Sequence, residues 1–185
     1  MRWACHRLSA FAAVFLVTGD PVAALASTAG STLPDSVEGI GARGNKRRVA
    51  RYLNLSHRGI SHWYMVYLLP FLALFAIDWG ILSLPIFYFF PAFSFSHFSF
   101  SHHFPPDFFH FFSWQSLPPM LSFFFMGACL HILGDTLCGT VPGLTPWSRR
   151  VGTRLFKVNS LRETLMVVPV SLAAIALRLA WITGI

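Results

Sequence analysis

Two pairs of polar residues interrupt a largely apolar chain, and their side chains are of types that can bind metal ions. His57 and His62 lie in the segment S-H-R-G-I-S-H-W, which ends where a long apolar run begins at Trp63. His131 and Asp135 are four residues apart in a later apolar run, so both side chains would project from one face of a helix. Imidazole nitrogens and carboxylate oxygens form the usual ligand set of zinc and related divalent metals.

A third polar segment, L-P-D-S-V-E, places Asp35 after Pro34 and Glu38 three residues further on. The alternative role for these carboxylates is capping of a helix. The alternative role for Asp135 is to accept a hydrogen bond from His131. We favour a shared metal site, because three separated segments would bring His or carboxylate to one membrane face. A carboxylate inside an apolar helix is also costly without a partner.

The composition excludes an ordinary soluble domain, since 55% of the 185 residues are hydrophobic and only 11% are charged. It predicts an all-α, polytopic membrane protein. The net charge of +7 comes mostly from two basic blocks, at residues 43–58 and 149–162, which the positive-inside rule places in the cytoplasm. We therefore expect membrane lipids, and no nucleic acid, as partners of the basic residues.

The N-terminus has two interpretations. A basic start, an apolar stretch and an A-L-A pattern before Ser27 resemble a cleavable signal peptide. The alternative is a hairpin of two short helices that turns at Gly19-Asp20-Pro21, with arms of about ten to twelve residues that are too short to cross a hydrocarbon core of about 30 Å. We favour the hairpin, which would bring His6 beside Asp35, whereas cleavage would remove His6.

About three full transmembrane helices are expected besides this hairpin. Trp63 to Phe93 is interpreted as one kinked span rather than a hairpin of two. One span here and one later span make an even number between the two basic blocks, which keeps both blocks on one side. Met120 to Cys138 and Leu161 to Ile185 supply the other spans. The Phe/Ser/His-rich stretch from Ala92 to Trp114 would lie on the opposite side, away from the metal site.

The chain is accordingly treated as a single membrane-embedded domain, residues 1–185. Residues 1–40 form the N-terminal hairpin and the L-P-D motif, and 41–62 form a basic loop with H-R-G-I-S-H. Residues 63–138 form the transmembrane region with the Phe/Ser/His-rich loop, and 139–185 form a second basic loop and the last transmembrane helix.

The segments L-P-D, H-R-G-I-S-H and H-x-x-x-D occur in an order that resembles the YdjM-like family of LexA-regulated inner-membrane metal-dependent hydrolases. That family's pattern is an N-terminal His, P-D-I-D, H-R-G-x-T-H-S and H-x-x-x-D, from which this chain departs at Val37 and Trp63. Glu163 resembles a late glutamate of the family. The resemblance implies that the metal ligands are His6, Asp35, His57, His62, His131 and Asp135.

These observations predict a metal-dependent hydrolase of the bacterial inner membrane that acts on a phosphoester or lipid-like substrate. A divalent metal, expected to be zinc, would activate a water molecule, and Asp35, Glu38 or Asp135 would accept its proton. The alternative is a non-enzymatic membrane or assembly protein with a structural metal or polar cluster. The two differ in coordination, because structural zinc sites are closed by four protein ligands and catalytic sites keep one position open.

Overall fold

The computed structural model describes residues 3–42, 59–78, 117–157 and 160–184. These residues are mostly helical, which confirms the all-α class. The helices are α1 Trp3–Thr18, α2 Pro21–Gly30, α3 Leu33–Ala42, α4 Met65–Asp78, α5 Leu117–Cys138 and α6 Leu161–Thr183, with a 3-10 turn at Ile60–His62. Two short strands, β1 Val141–Pro142 and β2 Arg150–Val151, pair antiparallel between α5 and α6.

The predicted N-terminal hairpin is present, and its turn has the expected chemistry. Asp20 caps α2 by accepting a hydrogen bond from the backbone N–H of Val22 at 2.8 Å, and Pro21 occupies the first helical position. Gly19 has a φ of 70°, a conformation that glycine adopts at little cost. The arms are unequal, because α1 has 16 residues and α2 has 10. Helix α1 is therefore longer than expected, and its first turns lie in the basic start of the chain.

Arg178, on α6, holds the tip of this hairpin. Its Nη2 donates a hydrogen bond of 3.2 Å to the carbonyl of Thr18, the last residue of α1. The last carbonyls of a helix lack partners within it and attract cations. A Cβ atom added at Gly19 would collide with the Arg178 guanidinium, so the turn and the arginine fit closely together.

Two glycines allow α2 and α5 to approach at backbone distance. A Cβ atom at Gly30 would overlap the carbonyl of Phe124, and one at Gly127 would overlap the carbonyl of Ser27. Small residues at such crossings let helix backbones pack directly against each other. The crossing fixes the end of α2, and therefore the start of α3, relative to the polar end of α5.

Two helices are long and apolar enough to cross a membrane, at Pro118–Cys138 and Leu161–Thr183. The third predicted span is described only as α4, whose 14 residues extend about 21 Å at 1.5 Å per residue. The remainder of that span lies outside the described residues, as do the basic block at 43–58 and the stretch from Ala92 to Trp114. The third span thus stays a prediction.

Candidate metal centre

Polar side chains from four elements meet at one end of the helix bundle. The first turns of α1, the start of α3, the 3-10 turn and the C-terminal part of α5 each contribute. The residues are His6, Asp35, Glu38, His62, His131 and Asp135. The sequence predicted all six, and the structure brings them together; His57, the other predicted ligand, lies outside the described residues.

The imidazole–carboxylate distances among four of these side chains are those of metal ligands. His62 Nε2 lies 3.4 Å from Asp35 Oδ1 and 3.3 Å from Asp135 Oδ2. His131 Nε2 lies 3.4 Å from Asp35 Oδ1 and 3.9 Å from Asp135 Oδ2. Ligand atoms of a tetrahedral site with bonds of about 2.0–2.1 Å are about 3.4 Å apart, whereas charge-assisted hydrogen bonds measure about 2.7–2.9 Å. Asp35, His62 and His131 are thus close enough together to hold a divalent metal.

His6 approaches the same carboxylate from its other oxygen. Its Nε2 lies 3.3 Å from Asp135 Oδ1, and its ring stacks on that of His131 with centroids 3.7 Å apart and planes 16° apart. The sequence predicted His6 beside Asp35, but the long first helix carries it to Asp135 and His131. There it could join those two residues as a ligand or orient the Asp135 carboxylate from the second shell.

The outward nitrogen of His62 is Nδ1, which faces away from the candidate ligand atoms. Polar groups beside it form what we call the supporting layer. His62 Nδ1 lies 3.1 Å from the Ser61 hydroxyl and 3.7 Å from Glu38 Oε2, and the Tyr67 hydroxyl donates to the Ser61 carbonyl at 2.9 Å. Partners of this kind fix the orientation of a ligating imidazole. The sequence analysis missed Ser61 and Tyr67, because a serine in a loop and a tyrosine in an apolar run carry no distinctive signal.

The bundle encloses most of the site. His6, His62, His131 and Asp135 are buried, whereas the side chains of Asp35 and Glu38 remain 23% and 19% exposed. Within the described ranges, the buried Nδ1 atoms of His6 and His131 have no hydrogen-bond partner. Because burying several imidazoles and a carboxylate is costly without compensation, a shared cation would account for the cluster. Access from outside would be through Asp35 and Glu38.

Asp35 and His62, which lie outside the candidate spans, have shifted pKa values. Partial burial disfavours the charged form of Asp35, but the imidazoles of His131 and His62 outweigh it and hold the pKa of Asp35 below its usual range. Burial likewise disfavours the imidazolium of His62, yet the carboxylates of Asp135 and Asp35 outweigh it and raise the pKa of His62. The metal-free cluster thus favours an ionised carboxylate beside a protonated imidazole.

Asp35 is not the helix cap that its position after proline allowed. The helix α3 already begins at Leu33, and the carbonyl of Thr32 accepts the backbone N–H of Ser36. Asp35 therefore lies within the first turn, where its carboxylate faces the imidazoles of the site. Glu163, at the start of α6, is fully buried, and its N–H donates to the capping hydroxyl of Ser160 at 3.2 Å.

The chain matches no protein-family model, no curated protein and no solved structure among those compared. The assignment of the site therefore depends on its own geometry and donor chemistry. Two overlapping groups of three residues could each hold a divalent cation: His6, His131 and Asp135, and Asp35, His62 and His131. Glu38 belongs to neither group and faces the outer nitrogen of His62.

Proposed function

We propose that this protein is a metal-dependent hydrolase of the bacterial inner membrane, acting on a phosphoester or lipid-like substrate. The observation that carries the proposal is the set of imidazole–carboxylate distances of 3.3–3.9 Å among Asp35, His62, His131 and Asp135. Asp35, His62 and His131 would hold a divalent metal, for which zinc is the first candidate, and three protein ligands would leave a position open for water. When bound, the metal would lower the pKa of a water molecule and polarise the scissile group.

The protein's own residues would divide the remaining tasks. Glu38 is partly exposed and faces the outer nitrogen of His62 at 3.7 Å, so it would orient that ring, and Asp35 or Asp135 would accept the proton of an attacking water. The Ser61 hydroxyl would hold the His62 ring by its outer nitrogen. His6 would fix the Asp135 carboxylate through its second oxygen.

The location in a membrane is supported by the two candidate spans, the first of which carries His131 and Asp135. The first ends at Cys138, three residues after Asp135, and the second begins at Leu161. Their connection is basic at residues 149–157, which the positive-inside rule associates with the cytoplasm. The cluster would then lie at the cytoplasmic face, as the resemblance to YdjM-like proteins also implies.

A structural metal is the second candidate function. Four protein ligands at tetrahedral spacing would close the coordination sphere, as in structural zinc sites. The partial exposure of Asp35 favours the hydrolase instead, because an exposed ligand leaves room for a substrate or water. Retention of metal without any hydrolytic activity would identify the structural role.

The test is metal analysis of the full chain purified under mild conditions, by mass spectrometry of the bound elements. We expect one equivalent of divalent metal, which His131→Ala should abolish and Asp20→Asn, at the far end of the hairpin, should leave unchanged. His57→Ala would show whether His57 joins the set. A chain that purifies without metal and binds none on titration contradicts the proposal.

Hydrolysis is measured on the same preparations with a chromogenic phosphodiester and with phospholipid. Glu38→Gln should keep the metal and lower the turnover by about 10–100-fold, the usual cost of changing a residue that orients a metal ligand. Equal turnover in Glu38→Gln would remove Glu38 from the mechanism. Metal-loaded protein without activity on either substrate would favour the structural candidate.

A further inference from the structure

The connection between α5 and α6, residues 139–157, presents a basic surface. Between Asp135 and Glu163 the sequence contains no acidic residue. Four cationic side chains of the connection are exposed, namely Arg149, Arg150, Arg154 and Lys157. The positive potential of the segment is therefore not offset by carboxylates of its own.

The same connection exposes large apolar side chains beside those charges. Leu144 is 77% exposed, Trp147 is 74% exposed and Leu155 is 67% exposed. Exposed apolar groups next to arginine and lysine are typical of segments that lie in a membrane interface, where tryptophan settles at headgroup level. The segment joins the ends of two candidate membrane spans, so it would lie at the membrane boundary.

Backbone hydrogen bonds fasten this surface to the candidate metal centre. The N–H groups of Thr153 and Leu155 donate to the carbonyls of Thr136 and Leu137, at 2.8 and 2.7 Å, at the end of α5 directly after Asp135. They satisfy carbonyls that have no partner within the helix. Docking of the connection would therefore be transmitted directly to the ligand-bearing end of α5.

A second attachment reaches the histidine side of the site. The indole N–H of Trp63, the residue after His62, donates to the carbonyl of Leu144 at 3.1 Å. Val141 of β1 is buried with Tyr67, whose hydroxyl binds the Ser61 carbonyl. The exposed face of the connection is thus held in a fixed position relative to the cluster.

We propose that residues 139–157 dock on the headgroups of anionic phospholipids, and that the substrate of the site is a membrane phospholipid rather than a soluble phosphoester. Charge complementarity between the cationic side chains and the lipid phosphates supplies the attraction, and Trp147, Leu144 and Leu155 enter the interface. The choice of substrate rests on the proposed hydrolase function; the docking does not.

The experiment uses the full chain in nanodiscs of phosphatidylcholine that contain traces of a fluorescent lipid. Energy transfer from the protein's tryptophans reports how strongly labelled phosphatidylglycerol associates compared with labelled phosphatidylcholine. We expect a several-fold preference for phosphatidylglycerol that weakens with salt, because exposed charge attraction is screened. Equal association of the two lipids would overturn the proposal.

Variants locate the preference in the connection. Arg149→Gln/Arg154→Gln/Lys157→Gln should reduce the preference towards unity, whereas Arg149→Lys/Arg154→Lys should keep it. Circular dichroism verifies that both remain helical, and a neutralised variant that keeps the preference contradicts the assignment. Displacement of phosphatidylglycerol by an oligonucleotide at low concentration would identify a nucleic-acid partner instead and also overturn it.

Two tryptophans of similar exposure provide a matched control for the apolar part. Trp147 lies in the connection, and Trp181, 75% exposed, lies near the opposite end of α6. Trp147→Phe should keep the lipid preference and Trp147→Ser should weaken it, whereas Trp181→Ser should leave it unchanged. The energy transfer of each variant is normalised to its tryptophan emission. An equal effect of the two serine variants on the lipid preference contradicts the proposal.

Different results would refute the lipid-docking proposal and the hydrolase proposal. Lipid preference is measured with and without added zinc, and bound metal is counted on the same samples. A preference without bound metal would retain the docking surface and reject the metal-dependent enzyme together with its substrate. Bound metal without a preference would reject the docking surface and leave the metal site intact.

Discussion

Both ends of α1 lie beside ionisable groups among apolar helices, but those groups are stabilised differently. At the hairpin tip, one cation, Arg178, donates directly to one carbonyl of α1. At the other end, three imidazoles and two carboxylates share a small volume, and their nitrogen–oxygen distances are 3.3–3.9 Å. The tip is a single contact between one donor and one acceptor, whereas the cluster brings together several groups that can act as metal ligands.

The comparison separates polar groups that maintain the fold from those that bind a ligand. A structural pair needs only to compensate for its own desolvation. A binding site holds more donors than the fold requires, since the free energy of ligand binding offsets their burial. Variants at the tip should therefore change stability with little effect on metal stoichiometry, and variants in the cluster should mainly change metal binding.

The largest expected effect is that of His131→Ala. His131 belongs to both groups of residues that could hold a metal, so its loss should weaken metal affinity by more than about 100-fold, the upper range for mutations of supporting residues. Isothermal titration with zinc, in detergent and in competition with a chelator, measures the change. Affinity within threefold of the parent would show that the cluster is not a metal site.

The tip provides the contrasting prediction. Arg178→Met removes a charge-assisted hydrogen bond to Thr18, which we expect to lower the free energy of unfolding by about 1.5–3 kcal/mol, while Arg178→Lys recovers part of the loss. Thermal unfolding followed by circular dichroism measures the stability. Below the transition the variant should still bind one metal; loss of metal binding in a fully helical Arg178→Met protein would contradict the separation of the two ends.

A change of intermediate size is expected for the supporting layer of His62. Tyr67→Phe removes the hydroxyl that donates to the Ser61 carbonyl, and a net loss of about 0.5–1.5 kcal/mol is usual for such a bond. Metal affinity should fall by no more than about tenfold, because only the orientation of a ligand is disturbed. A fall as large as that of His131→Ala would show that the layer matters as much as the ligands.

The smallest expected effect is on pH dependence. The stabilising contribution of His62 in the metal-free protein should fall as pH rises, whereas metal affinity should rise. In the metal-free protein the raised pKa of His62 stabilises the fold fully below the unfolded value of about 6.5, and this contribution is lost as pH rises through the folded pKa. The lowered pKa of Asp35 stabilises the fold above its unfolded value and is lost on acidification. The stability difference between the parent and His62→Ala, both metal-free, should thus decline from pH 6 to pH 8.

Metal binding should strengthen over the same pH interval, because a ligating imidazole must be neutral and protons compete for it. Titration with zinc at several pH values measures this trend. The control is Asp20→Asn, which should show the same two slopes as the parent. A stability difference between the parent and His62→Ala that rises with pH would mean that His62 is not protonated beside the carboxylates in the metal-free state.

The sequence was sufficient to predict the parts of the site that depend on local patterns. The spacing of His131 and Asp135 puts both on one face of α5, and the G-D-P segment correctly predicted the turn that returns α2 towards His6. It could not predict which carboxylate His6 meets, because that depends on the length of α1. The capping alternative for Asp35 failed because α3 begins before it.

Contacts between segments that are far apart in the chain could not be predicted from local sequence patterns. The close crossing at Gly30 and Gly127 determines how α2 and α5 pack, but a single glycine in an apolar run has several meanings. The bond between Arg178 and the Thr18 carbonyl joins residues that are far apart in the chain. Periodicity shows which face of a helix is apolar, and it does not show which helix covers that face.

The most direct test of the metal centre is X-ray absorption spectroscopy at the zinc edge on the full chain loaded with one equivalent of zinc. We predict a first shell of nitrogen and oxygen only, at about 2.0–2.1 Å, with the outer scattering of imidazole and no sulfur shell near 2.3 Å. Loss of an imidazole contribution in His62→Ala would complete the assignment. A sulfur shell, which would indicate the nearby Cys138, or a spectrum of hydrated zinc would contradict it.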